Sequence, residues 1–236
     1  MIDSVRQTVL SILNKNNYGY ISPSDFNLYA KQAQLEIFDE YFMELNMVIN
    51  SENARTSGTG YADLRKGLNE AINVFSVTNP LTQNIAVGAN VFFTPSQATT
   101  GDDYYLLNKV LAGGVEAEPV SHSDITLLNN SLLTAPSIQY PAYTLQGNSL
   151  TVFPVSFNQP GDVTCQYIRY PRDPQWTYAT LTNGEPVFNQ SSIGYQDFEL
   201  PIEEETELVY RILQMAGVSI READVYQFAD AEQKEQ

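Results

Sequence analysis

The distribution of proline constrains the fold more than any other feature of the sequence. Ten of the 12 prolines lie between residues 80 and 186 of the 236-residue chain. Because proline lacks an amide proton and disrupts helix interiors and central strands, this stretch favours short strands and loops. On either side of it, apolar residues recur at helical spacing. The sequence therefore predicts helical ends and a β-rich centre.

The N-terminal part is predicted to contain three helices, the second of them long. An apolar stripe predicts the first helix over Ile2–Leu13. The second has the clearest start signal in the chain, with Ser22 as N-cap and Pro23 in the first helical position. Its apolar residues cover most of the helix circumference, which predicts burial on more than one side. Polar residues 50–60 are expected to form a loop, and a third helix is expected to end at Asn79-Pro80.

The centre of the chain has the residue pattern of strands and turns, whereas the C-terminal part has the pattern of helices. Five elements are predicted in the centre: strands at 90–94, 103–110 and 163–170, a hairpin at 143–153, and a short helix at 125–133 capped by Ser123 or Asp124. Pro201 is predicted to open a C-terminal helix that Gly217 ends, and a short final helix is predicted after Ser219.

These elements predict an α+β fold, in which helical N- and C-terminal parts form a bundle and a small, irregular antiparallel β module is inserted between them. The predicted parts are an N-terminal helical part, a β-rich insertion, C-terminal helices that pack with the N-terminal ones, and a tail: residues 1–80, 81–196, 197–229 and 230–236.

Composition excludes several functional classes. A lone Cys165 excludes a disulfide framework, and a lone His122 excludes metal motifs with two histidines. A formal net charge of −16 argues against a broad phosphate-binding face. The N-terminus has no evident signal peptide, and no apolar run is long enough to span a bilayer. We expect no cofactor, no metal and no membrane contact.

Each candidate for chemistry has a plainer alternative. His122 lacks a Gly-x-Ser-x-Gly nucleophile elbow and is better interpreted as a polar residue beside a helix cap. The pairs Asp102-Asp103 and Glu116/Glu118 suggest an acid/base pair or a calcium site, but solvated loops explain them better. Residues 57–60 lack the Gly-Lys-Ser/Thr ending of a phosphate loop. Cys165 is expected in the core. The sequence predicts a protein that is not an enzyme.

Aromatic residues are the remaining candidates for function. Tyr and Trp are enriched at protein interfaces, and the tyrosines here are not interleaved with basic residues as in nucleic-acid-binding proteins. We predict an interface set of nine residues: Tyr41, Phe42, Tyr104, Tyr105, Tyr170, Trp176, Val225, Tyr226 and Phe228. The alternative is a carbohydrate-binding or adhesin-like module that stacks sugars on these rings. A hydrolase built on paired carboxylates ranks lowest.

Four stretches of the chain carry a resemblance to a known family: 20–38, 141–154, 166–176 and 200–218. They resemble phage structural proteins, namely the head-to-tail connector or ring proteins of short-tailed, crAss-like phages. The resemblance implies a helical adaptor with a β insertion, located in the virion and assembled in the host cytoplasm as a ring, commonly of twelve copies. Its implied partners are itself, the portal protein and further tail or ring proteins, with double-stranded DNA as a passing, non-specific cargo. It assigns no binding residue.

Charge is uneven along the chain. Residues 197–236 contain 11 acidic and three basic residues. We hypothesise that acidic residues line the channel of the ring, where they would keep DNA from adhering as it passes. We also expect the acidic C-terminal segment to dock onto a partner protein or to extend along the ring.

Overall fold

Helices lie at both ends of the chain and strands lie in its centre, which confirms the predicted α+β class. The computed structural model describes residues 1–14, 20–53, 61–182 and 184–220. The helices are α1 Ile2–Asn14, α2 Pro23–Asn53, α3 Tyr61–Asn73, α4 His122–Asn129 and α5 Glu205–Ile220, with a 3-10 turn at Ile202–Glu204. The strands are β1 Ser76–Pro80, β2 Val91–Phe93, β3 Tyr104–Ala112, β4 Val115–Glu116, β5 Glu118–Pro119, β6 Ala142–Gln146, β7 Ser149–Phe153, β8 Val163–Arg169, β9 Tyr178–Thr180 and β10 Pro186–Phe188.

The chain divides into two compact units. The helical unit comprises Met1–Ala71 and the chain from Pro171 onward, and the β unit comprises Ile72–Tyr170. None of the helices in the described ranges is both long and apolar enough to cross a membrane.

Three helices form the core of the helical unit, where α5 packs against both α1 and α2. The apolar stripe of α1 is buried as predicted, with Ile2, Val5 and Val9 fully covered. The predicted start of α2 is also confirmed. Ser22 Oγ accepts a hydrogen bond from the Asp25 amide at 3.2 Å and donates to the Asp25 carboxylate at 2.6 Å.

Side chains of α2 hold the segment that follows Tyr170 against the helices. Gln34 is 1% exposed, donates to the Arg172 carbonyl at 2.8 Å and accepts from the Glu199 amide at 3.0 Å. Asn27 accepts from the Trp176 amide at 2.9 Å and donates to its carbonyl at 3.3 Å. Residues 171–196, which the sequence analysis grouped with the insertion, therefore belong to the helical unit.

Two four-stranded sheets make up the β unit, in the orders β1-β8-β3-β4 and β2-β7-β6-β5. Every pair of adjacent strands in them is antiparallel except β5–β6, which is parallel. Side chains from both sheets form one core, which includes Phe92 and Val152 from one sheet and Val110, Cys165 and Tyr167 from the other. Every second residue of β8 from Val163 to Tyr167 is buried, which places Cys165 in the core as expected.

Two predicted helix ends were wrong. The third helix ends at Asn73, and residues 76–80 form β1, which pairs antiparallel with β8. Pro80 is tolerated there because β1 is an edge strand, where one amide needs no sheet partner. Gly217 does not end the C-terminal helix, which continues to Ile220. Leu213 and Ala216 are fully buried beside it, so packing outweighs the low helix propensity of glycine.

Other predicted boundaries shift by a few residues. α4 begins at His122 with Ser121 as its N-cap, not Ser123 or Asp124, and ends at Asn129. Residues 50–53, which were expected in a loop, belong to α2, and residues 54–60 of that predicted loop lie outside the described residues. Ser219 lies within α5, and the rest of the predicted final helix lies outside the described residues.

Two leucines that face each other across the β6–β7 hairpin provide a test of the core. Leu145 and Leu150 are cross-strand partners, but Leu150 is 0% exposed and Leu145 is 49% exposed. We expect Leu150→Ala to lower the free energy of unfolding by about 2–5 kcal/mol, because it leaves a cavity, and Leu145→Ala to lower it by about 0.5 kcal/mol. Urea unfolding of both variants measures this. Equal losses would contradict the assigned core.

Candidate functional site

The side chains that the sequence offered as catalytic or ligand-binding candidates either are exposed or make contacts that structural residues ordinarily make. His122 is exposed in the first turn of α4. Cys165 is buried in the β-unit core, and burial raises the pKa of its thiol to about 12, so it stays protonated. Glu116 forms an exposed ion pair with Lys109 at 3.0 Å. Asp103 accepts a hydrogen bond from the Gln97 amide at 2.8 Å.

The described residues contain no group of three His, Cys, Asp or Glu side chains that is arranged to hold a metal ion. The loop at 57–60, considered as a phosphate loop, lies outside the described residues.

A buried arginine organises a polar pocket of the helical unit. Arg211 on α5 is 4% exposed and hydrogen-bonds to Glu40 on α2 and to Glu207, the latter at 2.7 Å. Glu36 lies 3.6 Å from the same guanidinium group. Burial acts to lower the pKa of Arg211, but the hydrogen bonds to Glu40 and Glu207 outweigh it and raise that pKa. The cluster therefore fastens α2 to α5.

Carboxylates surround this arginine in excess of its charge. The pocket has a volume of about 360 Å³ and is lined by Ile37, Glu40, Tyr41, Glu44, Glu204, Glu207 and Arg211. Tyr41 donates a hydrogen bond to Glu204 at 2.9 Å, and burial, followed by that carboxylate, raises the pKa of Tyr41. Burial, followed by repulsion from Glu40 and Glu204, raises the pKa of Glu44. The Tyr41–Glu204 hydrogen bond therefore links α2 to the 3-10 turn, whereas Glu44 adds repulsion to the pocket.

Three of the predicted interface aromatics lie in the helical unit with contacts inside the chain. Tyr41 is buried in the pocket just described, and Phe42 packs edge-on against Phe38 with ring centroids 5.1 Å apart. Trp176 is 2% exposed and donates from Nε1 to Asp3 at 2.9 Å, and the Arg6 guanidinium lies 3.7 Å from its ring centroid. Their side chains serve packing within this unit.

The other described members of the set come together in the β unit. Tyr105 and Tyr170 pack edge to face with centroids 5.2 Å apart. Tyr104 and Tyr170 line one open cleft of about 670 Å³, which we call the tyrosine cleft, with Phe93, Thr94, Pro95, Ser96, Ala98, Thr99, Asp103 and Asn148. Val225, Tyr226 and Phe228 lie outside the described residues. A role for the set in subunit contacts stays a prediction.

Two long runs of sequence without charge are a feature that the aromatic candidates did not reveal. Residues 71–101 and 125–161 contain no Asp, Glu, Lys, Arg or His, in a chain with 28 acidic residues. Both runs lie almost wholly in the β unit. They nevertheless expose many large apolar side chains: Val74, Ile85, Val87, Leu127, Leu132, Leu133, Ile138, Tyr140, Leu145 and Val155. Exposed apolar patches mark contact surfaces, and these side chains are the candidates for one.

The segment 122–140, which we call the arm, begins with His122 and Asp124 and continues into the second uncharged run. It leaves β5 and returns to β6, which pair in parallel, so the chain between them must cross over. In the arm, every residue of which is described, Ile125 is the only buried one. Leu132 and Leu133 are 102% and 96% exposed, and thus contact almost nothing in this chain.

The backbone of the arm is nonetheless ordered by its own hydrogen bonds. The Ala135 amide donates to the Ser131 carbonyl at 3.0 Å, and Ser137 and Tyr140 exchange two backbone bonds of 3.1 Å. Such turns present the apolar side chains outward at fixed positions. A scan for uncharged runs would have located the arm, whereas a search for aromatic residues did not.

The chain was also compared with known proteins. No family model matches it, and no curated protein matches it significantly.

Glu44 offers a pH test of the carboxylate pocket. A raised folded-state pKa means that Glu44 destabilises the fold above that pKa and has little effect near its unfolded-state pKa of about 4.3. We expect Glu44→Gln to raise the free energy of unfolding at about pH 7, with the gain shrinking toward zero at about pH 4. Urea unfolding at both pH values checks this, with Asp39→Asn, an exposed change on the same helix, as the control. An equal gain in the control, or a gain that grows in acid, would contradict the assignment.

Proposed function

We propose that this protein is a structural component of a phage virion, and that it forms a ring in the portal-to-tail connector through which DNA passes. The observation that carries the proposal is the arm, in which Leu132 and Leu133 are 102% and 96% exposed in the single chain and belong to a run of sequence without charge. The resemblance of residues 20–38, 141–154, 166–176 and 200–218 to connector proteins supplies the particular assembly.

Exposed leucines of this kind favour association. Moving a Leu side chain from water into an apolar contact contributes roughly 1.5–3 kcal/mol. Leu132, Leu133 and Ile138 lie within seven residues of one another, so one contact could cover all three. A protein that keeps them in water would forgo this stabilisation and risk aggregation. The arm is therefore best explained as part of an interface.

Charge repulsion between copies opposes most contacts between them, so self-assembly is favoured through the surface that lacks charge. Copies with a net charge of −16 repel one another, and acidic side chains brought face to face would add to that cost. An uncharged surface avoids close approach of carboxylates. Rings also require heterologous contacts, in which two different faces of the subunit meet around the axis. We propose about twelve copies, following the resemblance, with the portal protein and further tail or ring proteins as neighbours.

The acidic remainder of the chain suits a DNA channel. Of the charged residues, the β unit holds six acidic and two basic ones, so most of the excess negative charge belongs to the helical unit and the chain that follows it. A lumen lined with carboxylates would repel phosphates and leave DNA free to move. We propose that the helical unit supplies this lining.

Cryo-electron microscopy of intact particles tests the proposed location. We expect the chain to account for density in a ring between portal and tail, with the arm at the contact between adjacent copies. Purified particles that lack the chain, or that carry it in a fibre or spike, would contradict the proposal.

Carbohydrate binding is the second candidate, and the tyrosine cleft is the observation that favours it. Two tyrosine rings, a carboxylate and an amide border this cleft: Tyr104, Tyr170, Asp103 and Asn148. Such groups can stack on and hydrogen-bond to a sugar. A glycan array probed with the purified chain decides the matter, since binding that Tyr170→Ala abolishes would favour this candidate.

A further inference from the structure

We propose that the arm of one copy docks into the tyrosine cleft of the adjacent copy. This inference rests on the proposed ring, and it names the two faces that meet around the axis. Both faces lie in the β unit, and each is described here within a single chain.

The tyrosine cleft offers apolar surface to an incoming segment. Phe93, Pro95, Ala98 and the rings of Tyr104 and Tyr170 supply most of its apolar lining. Its volume of about 670 Å³ falls within the range of pockets that bind ligands and exceeds the space that one leucine side chain needs. The cleft therefore has room for several side chains of the arm.

Several polar groups of the cleft already have hydrogen-bond partners. Thr99 Oγ1 lies 2.9 Å from Ser96 Oγ and accepts from the Ser96 amide at 3.1 Å. Asp103 accepts from the Gln97 amide at 2.8 Å. Because these groups already have partners, an apolar segment can cover them at a smaller desolvation cost than unpaired polar groups would impose. This chemistry suits the arm better than a sugar, which brings many hydroxyls that need partners.

The arm has the matching chemistry, and its own chain leaves it uncovered. Leu132, Leu133, Ile138 and Tyr140 are exposed by between 62% and 102%. They therefore do not fill the cleft of their own chain. Residues 125–140 carry no charge, and Asp103 is the only charged residue that lines the cleft, all of whose lining residues are described.

Electrostatics favour a second copy as the occupant over an unrelated partner. A basic partner would be drawn to the acidic surface of the chain, whereas the arm and the cleft have almost no charge with which to recognise it. A second copy is as acidic as the first, so it can approach closely only where both surfaces lack charge. The arm and the cleft are different faces, so their contact is heterologous and propagates around a ring.

Cysteine cross-linking in particles tests this contact. Particles are assembled with two versions of the full chain, one carrying Leu133→Cys and the other Ala98→Cys, and are oxidised mildly. The native Cys165 does not interfere because it is buried and its thiol pKa is raised to about 12. We expect a disulfide-linked dimer of the two versions. The control replaces Leu133→Cys with Ile193→Cys, which is 102% exposed in the helical unit and should give at least tenfold less dimer.

The outcomes distinguish failure of the proposed docking from failure of the proposed function. Rings in the particles without a cross-link above the Ile193→Cys control would overturn the docking while leaving the proposed function standing. Cross-links between two Leu133→Cys copies would show that arms meet arms, which also overturns it. Absence of the chain from the particles would overturn both.

A second measurement is the incorporation of variant chains into particles. The double variant Leu132→Ser with Leu133→Ser should lower this incorporation at least tenfold, whereas Gln139→Ser in the same arm should not change it.

Discussion

Repulsion among carboxylates is the constraint to which both units conform. The chain has 28 acidic residues and 12 basic ones, so it has too few basic side chains to pair each acidic one with its own. The helical unit places a buried arginine, Arg211, among glutamates of α2 and α5 and uses their attraction to join the two helices. The β unit instead omits charge over two long runs. One surface is thereby left able to approach a second acidic copy.

This separation of charge from contact surface connects the fold to the proposed function. A scaffold of two sheets with a common core supports an arm that is ordered by its own turns and exposed almost throughout. The same unit carries an open cleft lined by aromatic rings. The helical unit carries most of the negative charge, which suits a channel that DNA must pass. Assembly and passage would thus use different parts of one chain.

Local signals in the sequence predicted the elements that depend on local chemistry. The Ser22 cap, the β6–β7 hairpin and the strand β8 were predicted because each depends on neighbouring residues. Non-local contacts set the rest. Strand β1 depends on pairing with β8, and Trp176 is buried because Asn27 on α2 and other distant groups bind it. The arm was missed because exposed and buried leucine pairs look alike in a sequence.

The central claim is that copies associate through an uncharged surface against their own charge repulsion. Sedimentation velocity of the purified chain, from about 0.02 to about 0.5 M salt, tests it most directly, because screening lengths shorten from tens of ångströms to a few. Screening weakens the repulsion and leaves apolar burial intact. We predict that the fraction of ring-sized species rises with salt. A fraction that falls with salt, as ion-paired interfaces require, or a chain that stays monomeric throughout, would contradict the account.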